Sequence, residues 1–356
     1  MNEKSARNPK DRDFLRTQEG LLFCVTGYLH PPERYTAYLK YSPASEGKWR
    51  DAKTAYRREL PYYHVQNVAK TIHYLEESYP AYVDYCPVRD FRFSLVPRDR
   101  VAEYYLPEAR LQEIVDSPQD RLEEEVRGLV LHLATNAGIE PTVFGVTGSV
   151  LIELHNPSFS DIDLTVYGLQ NARRLRDTLG QAKLPHVSRV SDAFIAKWAE
   201  GIATRFPLTP AEARHFARRR WNYGYYRGRY FSIHPIRTDP EIGERYGDHY
   251  YRRHGVARVQ AQVIDASQAL FMPAIYRVGE VEVVEGDSSA AQIDRVVAYE
   301  GLYRDVVNAG HRVDARGTVE TVDGQPRRLV IGTFAMEGKG YIKPLDILST
   351  SDRAEQ

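Results

Sequence analysis

The stretch Phe144-Gly-Val-Thr-Gly-Ser-Val-Leu-Ile-Glu-Leu-His-Asn-Pro-Ser-Phe-Ser-Asp-Ile-Asp-Leu-Thr-Val-Tyr167 decides the reading of this chain. Its second half, Asp161-Ile-Asp-Leu-Thr-Val-Tyr167, is rich in β-branched and aromatic residues and predicts a strand. A strand's period of two sends Asp161 and Asp163 to one face and Ile162 to the other. Paired carboxylates on a rigid element suit a hard cation: Mg²⁺ takes oxygen ligands, typically one or two protein carboxylates, and leaves its other positions to water and substrate phosphates. The strand therefore points to phosphoryl-group chemistry.

The first half supplies a matching phosphate site. Gly148 allows close backbone approach and Ser149 adds a hydroxyl. The run Val150 to His155 is expected to be a helix whose N-terminus faces the phosphates, ended by Pro157 and the polar loop from Asn156 to Ser160. With its apolar flank, Gly-Ser, helix and Asp-x-Asp strand, this segment resembles the nucleotidyltransferase superfamily related to DNA polymerase β. The whole chain also resembles an uncharacterised archaeal group of predicted nucleotidyltransferases, in Arg12-Asp-Phe14, Gly47-Lys-Trp49 and the order of regions.

The resemblance implies transfer of a nucleoside monophosphate from an NTP such as ATP, with release of pyrophosphate. Asp161 and Asp163 are then the catalytic metal ligands, for Mg²⁺ or alternatively Mn²⁺. Thr147, Gly148 and Ser149 would hold the nucleotide phosphates, with Arg227, Arg229 and Arg220 as nearby counter-charges. The acceptor, whether a nucleic-acid end such as RNA, a protein or a small molecule, is not specified. In the superfamily a later strand carries a third carboxylate. The corresponding strand here, Tyr230-Phe-Ser-Ile-His-Pro-Ile236, has no acid, which leaves His234, or Asp239 just beyond it, for that position. A non-catalytic nucleotide- or RNA-binding module with the same fold is therefore the alternative.

Composition sets outer limits. The 356 residues carry 48 Lys+Arg and 48 Asp+Glu, so net charge offers no argument for a nucleic-acid partner and any such surface is local. Two cysteines, Cys24 and Cys86, lack the spacing of a zinc or redox motif, as expected of a reducing, cytoplasmic setting. No run of apolar residues approaches a membrane span. The 25 tyrosines, several in adjacent pairs, are read either as base-stacking platforms or as half-buried core residues.

The expected organisation is α+β in three folded parts between two tails: a disordered tail over 1–12, an N-terminal α+β module over 13–105, a nucleotidyltransferase domain over 106–253 with a mixed sheet and flanking helices, a C-terminal β-rich domain over 254–346, and a tail over 347–356. A hairpin is predicted between 20–30 and 35–41, a helix over 61–78 and a strand over 91–96. The central part should open with helices within 107–138, closed by Gly138, and continue with helices over 171–179, 191–198 and from Pro210 to Tyr223, the last announced by a Thr-Pro-Ala-Glu capping box. Five runs, 258–264, 274–278, 281–284, 313–322 and 328–331, predict a small barrel or sandwich. An oligonucleotide-binding barrel would suit the chemistry.

Overall fold

The computed structural model describes residues 7–50, 53–60, 64–181 and 183–345. The chain is α+β and is organised on three sheets. The first part contains β1 (Phe14–Thr17), β2 (Leu22–Val25), β3 (Arg34–Ala44), β4 (Trp49–Arg50), β5 (Ala55–Arg58), α1 (Val65–Ser78), β6 (Val83–Cys86), β7 (Phe91–Pro97) and β8 (Val101–Tyr105). Its strands run β4-β5-β3-β2-β1-β8, with β7 joined to β3 and β6. The expected hairpin is β2–β3, paired antiparallel from Val25↔Ala37 to Leu22↔Tyr41. Ile72 and Leu75, on the buried stripe of α1, close its core against Leu15, Phe23, Val25 and Leu39.

The tail expected over 1–12 does not hold for residues 7–12. Arg7 is inserted between Asp13 at 2.7 Å and Glu108 at 2.6 Å, and Lys10 and Asp11 are buried. A polar segment reads as disordered when its own composition is all that counts, but here its charges find partners on distant elements. Residues 1–6, the opening of the helix at 61–63 and the tail over 347–356 lie outside the described residues.

The second part contains α2 (Pro107–Asp116), α3 (Arg121–Ala137), β9 (Phe144–Thr147), α4 (Gly148–Leu151), β10 (Ile162–Tyr167), α5 (Leu169–Gln181), β11 (Val187–Ser188), α6 (Asp192–Ala203), α7 (Pro210–Arg219), β12 (Tyr223–Tyr226) and β13 (Arg229–Ile236). The sheet runs β11-β12-β13-β10-β9, with β10 parallel to β13 and the other pairs antiparallel. Local signals work well for the helices: Asp120 accepts from the Glu123 amide at the start of α3, Gly138 ends it at φ 61°, and the Thr209–Glu212 capping box starts α7. Helix α7 stops at Arg219, short of Tyr223, because Tyr223 opens β12, which returns through the Arg227-Gly228 turn to pair with β13.

The helix expected over 150–155 is also corrected. Only one turn forms, Gly148–Leu151, and Glu153 takes φ 55°. Leu151, Ile152 and Leu154 are instead buried with Phe14, Leu22, Cys24 and Tyr38 of the first part. Burying three large aliphatic side chains, each giving about 1.5–3 kcal/mol, outweighs propagation of a helix this short.

The third part contains β14 (Tyr251–Asp265), β15 (Ala274–Gly286), β16 (Arg295–Ala298), β17 (Arg312–Val322), β18 (Gln325–Ile331) and β19 (Tyr341–Pro344). Strand order is β14-β15-β16-β18-β17-β19, and β14 also pairs with β17, so the sheet rolls on itself. The runs at 274–278 and 281–284 are one strand, β15, with a register irregularity rather than a break between them. Strands β16 and β19 are too short to show a period in the sequence. The boundary expected at 253/254 is crossed by packing: Ala199 and Ile202 of α6, Phe206, Leu208, and Ala213 and Phe216 of α7 share one core with Val259, Val263, Tyr276 and Ile331. No helix among the described residues is long and apolar enough to cross a membrane.

Candidate functional site

Strand β10 is the axis of the site. Its apolar face, Ile162, Leu164 and Val166, is fully buried in the central core, and this fixes the opposite orientation of the odd-numbered residues. Register places Thr147 of β9 and Ser232 of β13 directly beside Asp163, and Tyr223 of β12 beside Ser232. Paired residues share a face, so Tyr223, Ser232, Asp163 and Thr147 form one row across the sheet. Asp161 lies two residues before Asp163 at the mouth of the same face.

This face opens into a cavity of about 840 Å³ bounded by all three parts of the chain. Asp161, Asp163, Gly148, Thr147, Ser232 and His234 line it. Gly148 has φ +67°, and a Cβ there would lie 2.5 Å from Asp163 Oδ2. Glycine is therefore required both by the backbone conformation and by the approach of the carboxylate. Ser149, half-buried beside it, makes no side-chain hydrogen bond among the described residues.

Asp163 is oriented by Ser232, whose hydroxyl donates to Oδ1. With that proton committed, Ser232 Oγ accepts from His234 Nε2 at 2.9 Å. Burial, followed by Arg12, Arg304, Lys40 and Arg220, holds the His234 pKa well below the usual histidine value, so the ring is neutral. Its other nitrogen, Nδ1, is buried without a partner. Asp161 is raised to about 6, first by burial and then by the charge on Asp163, with Arg229 and Arg58 opposing. Asp161 is accessible to solvent, yet the surrounding walls and the adjacent carboxylate still make its ionisation unfavourable. Two neighbouring carboxylates on one face of the cavity offer the oxygen ligands that a divalent ion takes.

Several expected site residues have other duties. Thr147 faces the cavity, but its hydroxyl donates to the Arg12 carbonyl at 2.8 Å, which pins the segment carrying Arg12. Arg229 is a clamp: it donates to Glu125 at 2.7 Å, Ser160 O at 3.0 Å and Pro157 O at 2.8 Å, fixing the loop that delivers Asp161. Arg227 is exposed on the β12–β13 turn with its guanidinium over the Tyr226 ring, away from the cavity. Asp239 is exposed and ion-paired to Lys10 at 2.8 Å, outside the cavity lining. Neither it nor Glu241, which caps the Leu169 amide, reaches Asp163. The place beside Asp163 belongs to Ser232, and His234 lies one strand step further on.

The cavity also gathers residues that no local pattern marked. Arg12 and Lys40 come from the first part, Arg58 from the end of β5, Arg220 from the end of α7, and Arg304 from the third part. Of these, only Arg220 was suggested by its sequence neighbourhood. Tyr223 and Tyr230 line the same space, whereas Tyr41, Tyr82, Tyr276 and Tyr303 are core residues.

The chain is similar to the uncharacterised protein MJ1086 of the archaeon Methanocaldococcus jannaschii, with 29% identity over 344 residues that cover 93% of this chain and 98% of that protein. No protein-family profile and no solved structure matches it.

Proposed function

We propose that this protein is a divalent-metal-dependent nucleotidyltransferase that moves a nucleoside monophosphate from an NTP to an acceptor hydroxyl and releases pyrophosphate. The observation that carries the reading is the Asp161–Asp163 pair with Gly148 held against Asp163, all on the lining of one large cavity. Asp161 and Asp163 would hold Mg²⁺, or Mn²⁺ in its place. When bound, the ion supplies electrostatic stabilisation of the phosphate oxygens and the departing pyrophosphate.

The chain's own residues do the rest. Ser232 fixes the carboxylate of Asp163, Gly148 keeps its outer oxygen clear, and Arg229 anchors the loop bearing Asp161. The Ser149 hydroxyl, which makes no hydrogen bond among the described residues, follows Gly148 and would be a further donor to a phosphate oxygen. The central sheet acts as the nucleotidyltransferase core, and the rolled third sheet, as a small barrel, closes the cavity over it. With serine in place of a third acid, the donor set is that of a single tightly held ion.

The test is incubation of the full chain with labelled NTPs, Mg²⁺ or Mn²⁺, and RNA, protein or small-molecule acceptors. The expected result is a metal-dependent labelled product and pyrophosphate, reduced at least ~1,000-fold in Asp161→Asn plus Asp163→Asn. A product indifferent to those substitutions, or none with any acceptor, overturns it. The occupation of the third position by Ser232 favours one second reading, a nucleotide- or RNA-binding module without turnover. It predicts saturable NTP or RNA binding and no pyrophosphate.

A further inference from the structure

A group of cations lines the same cavity as Gly148. Arg12, Lys40, Arg220 and Arg304 all line the cavity and come from the three different parts of the chain. Arg220 stacks on Tyr223, 3.9 Å from its ring centre, and on Trp198 at 5.2 Å. Neither Arg220 nor Arg304 forms an ion pair among the described residues. The nearby acid, Asp11, is already engaged: it accepts from the Gly27 amide at 3.1 Å and lies 3.6 Å from Arg12. Lys40 is only 5% exposed.

Guanidinium groups that face one another in a partly desolvated space are unfavourable unless an anion joins them. Their shared field is seen at Tyr223. Burial alone would raise its phenol, but Arg220, Arg304 and Arg12 outweigh burial and bring it below the ordinary tyrosine value. Arg304 itself is lowered, first by burial, with Arg12 and Arg220 adding to the effect. Planar guanidinium forks match phosphate oxygens bidentately, and several on the lining of one cavity suit a phosphate group better than a carboxylate.

Within this cluster Arg220 is set apart from the Gly148 side. Thr147, followed by Gly148, pairs with Asp163 at one end of the cross-sheet row, and Tyr223 of β12, with Arg220 stacked on it, lies at the other end. A cavity of about 840 Å³ enclosed by three sheets is of the size that takes small molecules. We propose that Arg12, Arg220 and Arg304, with Lys40, form a second anion subsite that binds the phosphate group of a small phosphorylated acceptor. The subsite rests on the nucleotidyl-transfer reading for its role, though not for its existence.

The experiment uses the full chain. Calorimetric titration with inorganic phosphate in EDTA at low chloride examines the cations without the carboxylate site. Saturable binding is expected, weakened at least ~10-fold in Arg304→Gln and in Arg220→Gln and retained or tightened in Asp161→Asn plus Asp163→Asn. Circular dichroism and thermal melts check that each variant is folded. Absence of metal-free phosphate binding, or binding unchanged in both arginine variants, overturns the subsite. A second titration, with the chain saturated by Mg²⁺ and a non-hydrolysable ATP analogue, separates acceptor from nucleotide. Phosphate binding that persists supports the acceptor role, and strict competition by the analogue assigns the arginines to the nucleotide's own phosphates and overturns it. If no nucleotide is turned over while the metal-free titration behaves as expected, the nucleotidyl-transfer reading fails and the anion subsite stands.

Discussion

The charges around Asp161 and Asp163 and the charges that hold the fold differ in how far they are paired. Outside the cavity arginines are paired: Arg7 with Asp13 and Glu108, Arg229 with Glu125 at 2.7 Å, and Arg258 with Asp314 at 2.6 Å. On its lining, Asp161 and Asp163 are neighbouring carboxylates and Arg220 and Arg304 form no ion pair among the described residues, although Arg12 and Arg328 there are paired with Asp11 and Glu320. Ion pairs that satisfy themselves contribute to folding and specificity, whereas perturbed charges clustered in a cleft mark a candidate functional site.

The largest expected effect lies on the paired side of this contrast. Removing Arg7 leaves buried Asp13, already raised to about 6 by burial against the opposing effect of Arg7, without its partner, and frees the segment that carries Arg12. Arg7→Ala should cost on the order of 3 kcal/mol of stability in urea unfolding. A loss within ~0.5 kcal/mol would mean that this pair is as dispensable as an exposed one and would blur the distinction.

Glu300 gives an intermediate case. It lines the cavity, its pKa is raised to about 7 by burial, and its partner is the Val65 amide at 3.1 Å, at the start of α1. Because the folded state holds this proton to higher pH than the unfolded chain, stability is greatest below about 4.5, falls as pH rises and levels off above about 7. The loss from this group is on the order of 3 kcal/mol. Glu300→Gln should keep the Val65 bond and flatten that slope. An unchanged pH profile of the melting temperature would show that Glu300 is not held protonated.

The smallest effect is expected at the carboxylates. In EDTA, Asp161→Asn relieves the repulsion of Asp163 and should raise stability by less than ~1 kcal/mol, since Asp161 is accessible to solvent. The same substitution should abolish most of the stabilisation that Mg²⁺ confers on the natural chain. A destabilised variant would place Asp161 with the structural charges instead.

Much of the carboxylate side was legible because it is written within a short span of chain. The strand period, the Gly-Ser pair and the buried alternation of Ile162, Leu164 and Val166 are local signals, and β10 forms as they require. Helix ends at Asp120, Gly138 and Thr209 were equally readable, since a cap needs only its neighbours. The one-turn α4 was not, because Leu151, Ile152 and Leu154 follow a hydrophobic partner in another part of the chain. Nor was the role of Arg229 as a loop clamp, or the displacement of Asp239 toward Lys10.

By itself the sequence determined the α+β class, the central strand and the two aspartates that share its face, because backbone periodicity and steric freedom at glycine act over a few residues. Tertiary structure alone decided that Ser232 lies beside Asp163 and that Arg12, Lys40, Arg220 and Arg304 face the same cavity. The physical reason is that strand register and the packing of three sheets join positions hundreds of residues apart, and charge has no sequence period that could announce such a meeting.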